Sequence, residues 1–201
     1  MEGFKKLKLS DKILKTIESS GFEKPTEIQE KAIPLVLEGK DIIGNAATGS
    51  GKTLAFGAGI IDRIDEKGIR ALVLTPTREL AEQVSHTLKI FSKNHPTFVT
   101  EIYGGVSIEP QIHALRRANI VVGTPGRILD HISRGSINLS NVKFLVLDEA
   151  DRMLEMGFIE DVEEIINRCP RERQTLLFSA TISSDIERIA KKYMNNPVRI
   201  E

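Results

Sequence analysis

Lys52 and Thr53 close a run of small residues, Ala46-Ala47-Thr48-Gly49-Ser50-Gly51, between an apolar pair (Ile42, Ile43) and the apolar segment Leu54–Ile61. That order can bind phosphate. Small residues let successive backbone N–H groups wrap a phosphate chain. The helix that follows points its positive end at the anion, Lys52 reaches the β- and γ-phosphates, and the Thr53 hydroxyl ligates Mg²⁺. The first Gly of the general G-x-x-x-x-G-K-[ST] pattern is Ala46 here. The competing reading is a surface turn that happens to precede a lysine; an apolar strand before it and a helix-competent segment after it argue for a P-loop.

Asp148-Glu149-Ala150-Asp151 follows the apolar run Phe144-Leu145-Val146-Leu147. Asp148 stands where a P-loop enzyme places the acid that holds Mg²⁺, and Glu149 is placed to orient or deprotonate an attacking water. Acids also favour the first turn of a helix, and that alternative bears most on Asp151. Ser179-Ala180-Thr181 ends another apolar run and, alone, reads as a cap for a helix at Asp185. Thr26-x-x-Gln29 reads as a capping box, with the Gln29 amide returning to the Thr26 N–H. An amide that presents donor and acceptor side by side also suits an adenine edge, although spacing alone favours the cap. Pro76-Thr77-Arg78, Gly104-Gly105 and Thr124-Pro125-Gly126-Arg127 each follow a strand-like run. They offer backbone amides, hydroxyls and guanidinium groups, a candidate track for a phosphodiester backbone.

The elements that must position these groups alternate regularly. Strand-type runs are expected at 41–44, 71–75, 98–103, 120–123, 144–148 and 175–179. Helix-periodic segments follow at 52–64, 78–91, 108–117, 126–133, 161–168 and 185–193, after two short N-terminal helices opened by Ser10 and Thr26. Repeated β-then-α units predict an α/β fold with a mostly parallel sheet, helices on both faces in three layers, and ligands outside the carboxyl ends of the strands. Lys+Arg and Asp+Glu both number 28 in 201 residues, so the net charge is zero and a nucleic-acid partner must be argued locally. The single cysteine, Cys169, cannot pair within the chain, which suits a reducing compartment. His86, His95, His113 and His131 lack metal-ligand spacing and read as surface or satisfied histidines. No apolar run approaches the ~18 residues of a membrane span, so the expected location is cytoplasmic.

Together these residues resemble the DEAD-box ATP-dependent RNA helicases, specifically the first of their two RecA-like domains, over Phe4 to Glu201. The matching stretches are Phe22–Gln29 (the Q motif, with Phe4 upstream), Ala46–Thr53, Pro76–Ala81, Gly104-Gly105, Thr124–Arg127, Asp148–Asp151 and Ser179–Thr181. Ala at position 46 is common in that family. Position 47 is usually Gln there and is Ala47 here, which leaves one polar contact near the phosphates in question.

The resemblance implies a Q-motif segment over 1–30 packed on a RecA-like ATPase domain over 31–201. It implies ATP bound by Phe22, Lys24, Thr26, Gln29 and Ala47, Thr48, Gly49, Ser50, Gly51, Lys52 and Thr53, with Gln29 reading adenine and Phe22 packed on the base. Mg²⁺ would be held by Thr53 and Asp148, and Lys52, Asp148, Glu149, Ser179 and Thr181 would form the catalytic set. Ser179 and Thr181 would couple the nucleotide state to strand separation through Asp151. Pro76, Thr77, Arg78, Gly104, Gly105, Thr124, Pro125, Gly126 and Arg127 would hold the backbone of single-stranded RNA without reading its sequence.

The family's second domain carries a run of the type His-Arg-x-Gly-Arg-x-x-Gly-Arg, and the 201 residues hold none. The expectation is therefore a monomeric half of the enzyme, a piece of a longer protein. Alone it would bind nucleotide, hydrolyse it slowly and unwind nothing. The rival readings are a nucleotide-gated RNA clamp or remodeller without processive unwinding, and a DNA-directed motor.

Overall fold

A computed structural model describes residues 1–201. Three short helices, α1 (Glu2–Lys5), α2 (Asp11–Ser19) and α3 (Glu27–Leu37), precede the first strand. Strands and helices then alternate: β1 (Ile42–Asn45), α4 (Lys52–Arg63), β2 (Ala71–Leu74), α5 (Arg78–Phe91), β3 (Val99–Ile102), α6 (Glu109–Leu115), β4 (Ile120–Gly123), α7 (Pro125–Arg134) and β5 (Phe144–Leu147). The last elements are α8 (Ala150–Glu155), α9 (Ile159–Arg168), β6 (Gln174–Ser179), α10 (Ser184–Tyr193) and β7 (Val198–Ile200). The strands form one seven-stranded sheet in the order β3-β4-β2-β5-β6-β1-β7, with every pairing parallel. The expected mixture of directions is thus wholly parallel.

Side chains that alternate along each strand build two separate cores. In β5, Phe144 and Val146 join the core under α1 to α5, while Leu145 and Leu147 join the core under α6 to α10; β2 divides in the same way. Strands buried on both faces must be apolar throughout, which is why these short runs lack the polar alternation of a half-exposed sheet. Phe4, Leu7, Leu9, Ile13 and Ile17 of the N-terminal segment enter the first core, so that segment is built into the fold. No helix is long and apolar enough to cross a membrane.

Three elements escape the sequence pattern. α1 and α8 are only a turn or so long, and β7 pairs with β1 through three residues at the sheet edge. The buried carboxylate of Asp41 ties this end together, accepting from the backbone N–H of Thr175 at 2.8 Å and of Asn195 at 2.7 Å.

The sheet order sorts the chemistry. β5, β6 and β1 are neighbours, so the chain leaving each of them brings Asp148-Glu149, Ser179-Thr181 and the P-loop side by side. β3, β4 and β2 are also neighbours. Their last residues Ile102, Gly123 and Leu74 lie in register, so the turns at 104–105, 124–127 and 76–78 leave one end of the sheet together.

Candidate functional site

Gly51 caps α4 in the left-handed region (φ +84°), which glycine enters without strain, and Gly49 does the same (φ +84°). A Cβ at Gly51 would lie 2.5 Å from Gln29 Nε2, so the loop needs glycine there for space as well as for turn geometry. Lys52, buried at the head of α4, places Nζ 2.9 Å from Asp148 Oδ1 and 3.8 Å from Glu149 Oε1. The Thr48 hydroxyl donates to Glu149 Oε1 at 2.8 Å, and Arg152 lies 3.1 Å from Oε2. Glu149 occupies the left-handed region (φ 51°, ψ 52°) as the cap of α8, a position that costs a non-glycine residue on the order of 1 kcal/mol or more. That turn aims its carboxylate back at the P-loop.

Asp148 is fully buried, and neither of its carboxylate oxygens nor Ser50 Oγ has a well-aligned hydrogen-bond partner. Burial pushes the Asp148 carboxyl above its ordinary range, and the Lys52 ammonium beside it opposes that shift. A buried acid paired through one oxygen to a lysine, beside a helix N-terminus, forms a set of groups suited to a charged ligand. With the Thr53 hydroxyl at the second position of α4, the donor set is the oxygen type that Mg²⁺ takes, so the residues present fit a Mg²⁺–phosphate ligand.

Gln29 makes the expected cap and a second bond that its spacing did not announce. Its Oε1 accepts from the Thr26 N–H at 3.0 Å, the expected cap, and its Nε2 donates to the Gly51 carbonyl at 3.1 Å. The Thr26 hydroxyl donates to the Ser50 carbonyl at 3.0 Å. The N-terminal segment therefore holds the P-loop from behind by two side-chain bonds. Phe22 is exposed with its ring 5.6 Å from Phe91, and Lys24 lies exposed nearby in the chain.

Ser179 is not the cap of α10. Ser183 fills that role, accepting from Ile186 N–H at 3.4 Å. Ser179 Oγ instead accepts from the Asp151 N–H at 3.1 Å and donates to the Thr181 carbonyl at 2.7 Å. Thr181 gives both its N–H (3.2 Å) and its hydroxyl (3.1 Å) to Asp151 Oδ2. The Ala46 N–H donates to the Ser179 carbonyl at 3.0 Å, so this cluster and the start of the P-loop share one bond.

The three turns differ among themselves. Thr77 caps α5, accepting from Leu80 N–H at 3.2 Å, and Pro76 is buried behind it. Arg78 is half exposed, with its guanidinium 4.7 Å from the centre of the Tyr103 ring and Nε 3.3 Å from Glu82. Gly104, Gly105 and Gly126 are exposed with open space where a Cβ would stand, while Thr124 caps α7 and Pro125 begins it. Arg127 turns its guanidinium inward. Its side chain is 14% exposed, and both terminal nitrogens donate to the Val106 carbonyl at 3.1 Å, one of them also to Gln111 Oε1 at 3.2 Å. Gln111 and His131, buried beside it, carry no motif in the sequence; helices α6 and α7 bring them together only in the fold.

Residues 26–189 match the family model described as DEAD/DEAH box helicase. The chain is 55% identical over 195 residues to a probable ATP-dependent RNA helicase of Methanocaldococcus jannaschii, covering 96% of this chain and 53% of that protein. It is 53% identical over 200 residues to the DEAD-box ATP-dependent RNA helicase CshA of Geobacillus kaustophilus, covering 98% and 43% respectively. Among solved structures, a DEAD box protein from the hyperthermophile Methanococcus jannaschii superposes with a TM-score of 0.95 at 53% identity, over 98% of this chain and 55% of the other. A hypothetical ATP-dependent RNA helicase from Sulfolobus tokodaii gives 0.90 at 43% identity, over 95% and 56%. The chain thus spans about half the length of the relatives it matches. It belongs to the DEAD/DEAH box helicase family.

Proposed function

We propose that this chain is the nucleotide-binding half of an ATP-dependent RNA helicase: it binds Mg²⁺·ATP at the P-loop and the backbone of single-stranded RNA at the three turns. It acts as a monomer in the cytoplasm and needs a second RecA-like domain to hydrolyse ATP efficiently and to separate a duplex. The observation that carries this reading is the convergence of Lys52, Thr48, Asp148 and Glu149 on one loop, with Asp151 bonded to Ser179 and Thr181 beside it.

Without nucleotide, Lys52 neutralises Asp148. On binding, Lys52 turns to the β- and γ-phosphates, and the N–H groups of Gly49, Ser50, Gly51 and Lys52, with Ala47 and Thr48 at the loop's entry, surround the phosphate chain. Thr53 and Asp148 would hold Mg²⁺, which when bound neutralises charge on the transferring phosphoryl group. Glu149, relieved of Thr48, orients the attacking water and accepts its proton. Gln29 presents its amide to adenine, assisted by Thr26 and Lys24, while Phe22 packs on the base. Pro76, Thr77, Arg78, Gly104, Gly105, Thr124, Pro125, Gly126 and Arg127 bind phosphates and sugars through amides, hydroxyls and guanidinium groups. Asp151, Ser179 and Thr181 form a hinge whose bonds rearrange with the nucleotide state.

The relatives' names favour RNA over DNA as the strand bound and turnover over a static clamp. The test is phosphate release from Mg²⁺·ATP by this chain, with and without single-stranded RNA, alongside titration of a fluorescent ADP. Tight nucleotide binding with slow release in both conditions is the expected result. Failure to bind nucleotide refutes the site, and fast RNA-stimulated release refutes the need for a second domain.

A further inference from the structure

Gln111 joins the two glycine-bearing turns that leave β3 and β4. Its Nε2 donates to the Tyr103 carbonyl at 2.9 Å, immediately before Gly104-Gly105. Its Oε1 receives Arg127 Nη1 at 3.2 Å and faces His131 Nε2 at 2.9 Å. The amide has only one workable orientation here, because a flip would set its NH₂ against the Arg127 guanidinium and its oxygen against the Tyr103 carbonyl. His131 is completely buried and fixed from behind, with Nδ1 2.7 Å from Ser136 Oγ. Because Gln111 Oε1 can only accept, the His131 proton belongs on Nε2, and Nδ1 accepts from Ser136. Arg127 completes the clamp through its fork on the Val106 carbonyl, so the loop from Tyr103 to Val106 is held at both ends by side chains from α6 and α7.

Neither Gln111 nor His131 faces solvent, and Gly104, Gly105 and Gly126 are open to it, so this network shapes the backbone that a ligand would meet without meeting the ligand itself. We infer that Gln111, backed by His131, is a positioning residue for RNA: it fixes the spacing between the 104–105 and 124–127 turns so that their amides fall on successive phosphates of one strand. This rests on the proposed role of those turns as the RNA track. A strand with fixed phosphate spacing needs such a brace. Glycine loops are otherwise free to drift apart, and an ångström of drift unmakes several weak contacts at once.

The experiment is fluorescence anisotropy of a labelled ten-nucleotide oligouridylate with the 201-residue chain and its Gln111→Leu and Gln111→Glu variants. Fluorescent ADP titration and backbone hydrogen exchange over 103–107 accompany it. The Gln111→Leu variant should bind the RNA roughly ten-fold more weakly, with ADP affinity within about two-fold of the parent and faster exchange at 103–107. The Gln111→Glu variant keeps the acceptor for Arg127 and His131 but cannot donate to Tyr103, and should fall between the two; it also decides the matter if Gln111→Leu folds poorly. Unchanged RNA affinity in both folded variants overturns the positioning role while leaving the RNA track intact. A parent chain that binds ADP but no RNA overturns the track itself, and the brace with it.

Discussion

At the scale of single residues, Gln29 shows how one side chain can serve the fold and the site together. It caps Thr26 through its oxygen and holds the Gly51 carbonyl through its nitrogen, so replacing it removes both. Gln29→Ala should lower unfolding free energy by about 1–2 kcal/mol, from the cap and the second hydrogen bond together, and should also weaken ADP binding. Gln29→Glu separates the two roles. Its carboxylate still accepts from Thr26, but it cannot donate to Gly51 or to an adenine acceptor. The buried carboxylate set against the Gly51 carbonyl costs stability of its own, so urea unfolding should find the loss not restored although the cap is kept, and ADP titration should find the affinity low. If Gln29→Glu binds ADP as the parent does, the residue is only a cap. Cys169 makes a simpler case. Burial pushes its thiol up to about 11, so at neutral pH it is protonated and shielded. A thiol reagent should label the native chain only at the slow rate of local opening, and rapidly in denaturant.

At the scale of elements, α4 is the part on which the site depends, because it carries Lys52 and Thr53 and packs between α3 and α5. Its two interior glycines set those contacts. A Cβ at Gly59 would stand 2.6 Å from Val36 Cγ1, and one at Gly57 would stand 2.5 Å from Leu88 Cδ2. Val36 and Leu88 are both buried, but Val36 is stiff at χ1, whereas Leu88 has a further torsion through which its end can yield. Alanine at either position gains helix propensity of up to about 1 kcal/mol. At Gly57 that gain should nearly offset the contact. At Gly59 the overpacking should win by about 1–3 kcal/mol and separate α3 from α4. Since α3 carries Gln29, Gly59→Ala should also weaken ADP binding; thermal unfolding and ADP titration of the two variants check the order.

The same scale shows what the sequence made legible. The P-loop helix, the acids after β5 and the β-then-α order were readable because each rests on local spacing or on strands buried on both faces. β7 was not, because three residues after a proline hold no periodic signal and are ordered by Asp41 at the head of the neighbouring strand β1. The Gln111–His131 pair was equally silent, since neither residue lies in a motif and only the packing of α6 beside α7 makes them neighbours. Arg127 was legible as a candidate, but its inward direction depends on the Val106 carbonyl, which no spacing rule foresees.

At the scale of the whole molecule, zero net charge constrains the RNA track proposed for the three turns. Only two cations stand at the three turns. Arg78 is partly neutralised by Glu82, and Arg127 is folded against a carbonyl. Contacts with the strand must then come mainly from amides and hydroxyls, which release no counterions. Single-stranded binding loses about 0.7 in log K per unit of log salt for each phosphate neutralised, so a slope near −1 is expected. Anisotropy titrations from about 50 to 200 mM salt measure it, with Arg78→Ala flattening the slope by roughly one contact. A slope of about −3 or steeper would mean that the strand lies on another face. A shallow slope can also arise at the opposite end of the sheet, in a groove of about 500 Å³ lined by Arg171, Arg173 and Lys192. Arg173 is occupied there by the carbonyls of Pro170 and Tyr193, and Lys192 by Glu163, which leaves Arg171 as its one cation without such a partner. A shallow slope that responds to Arg78 and not to Arg171 therefore assigns the strand to the turns after β2, β3 and β4. The reverse pattern moves it to the groove.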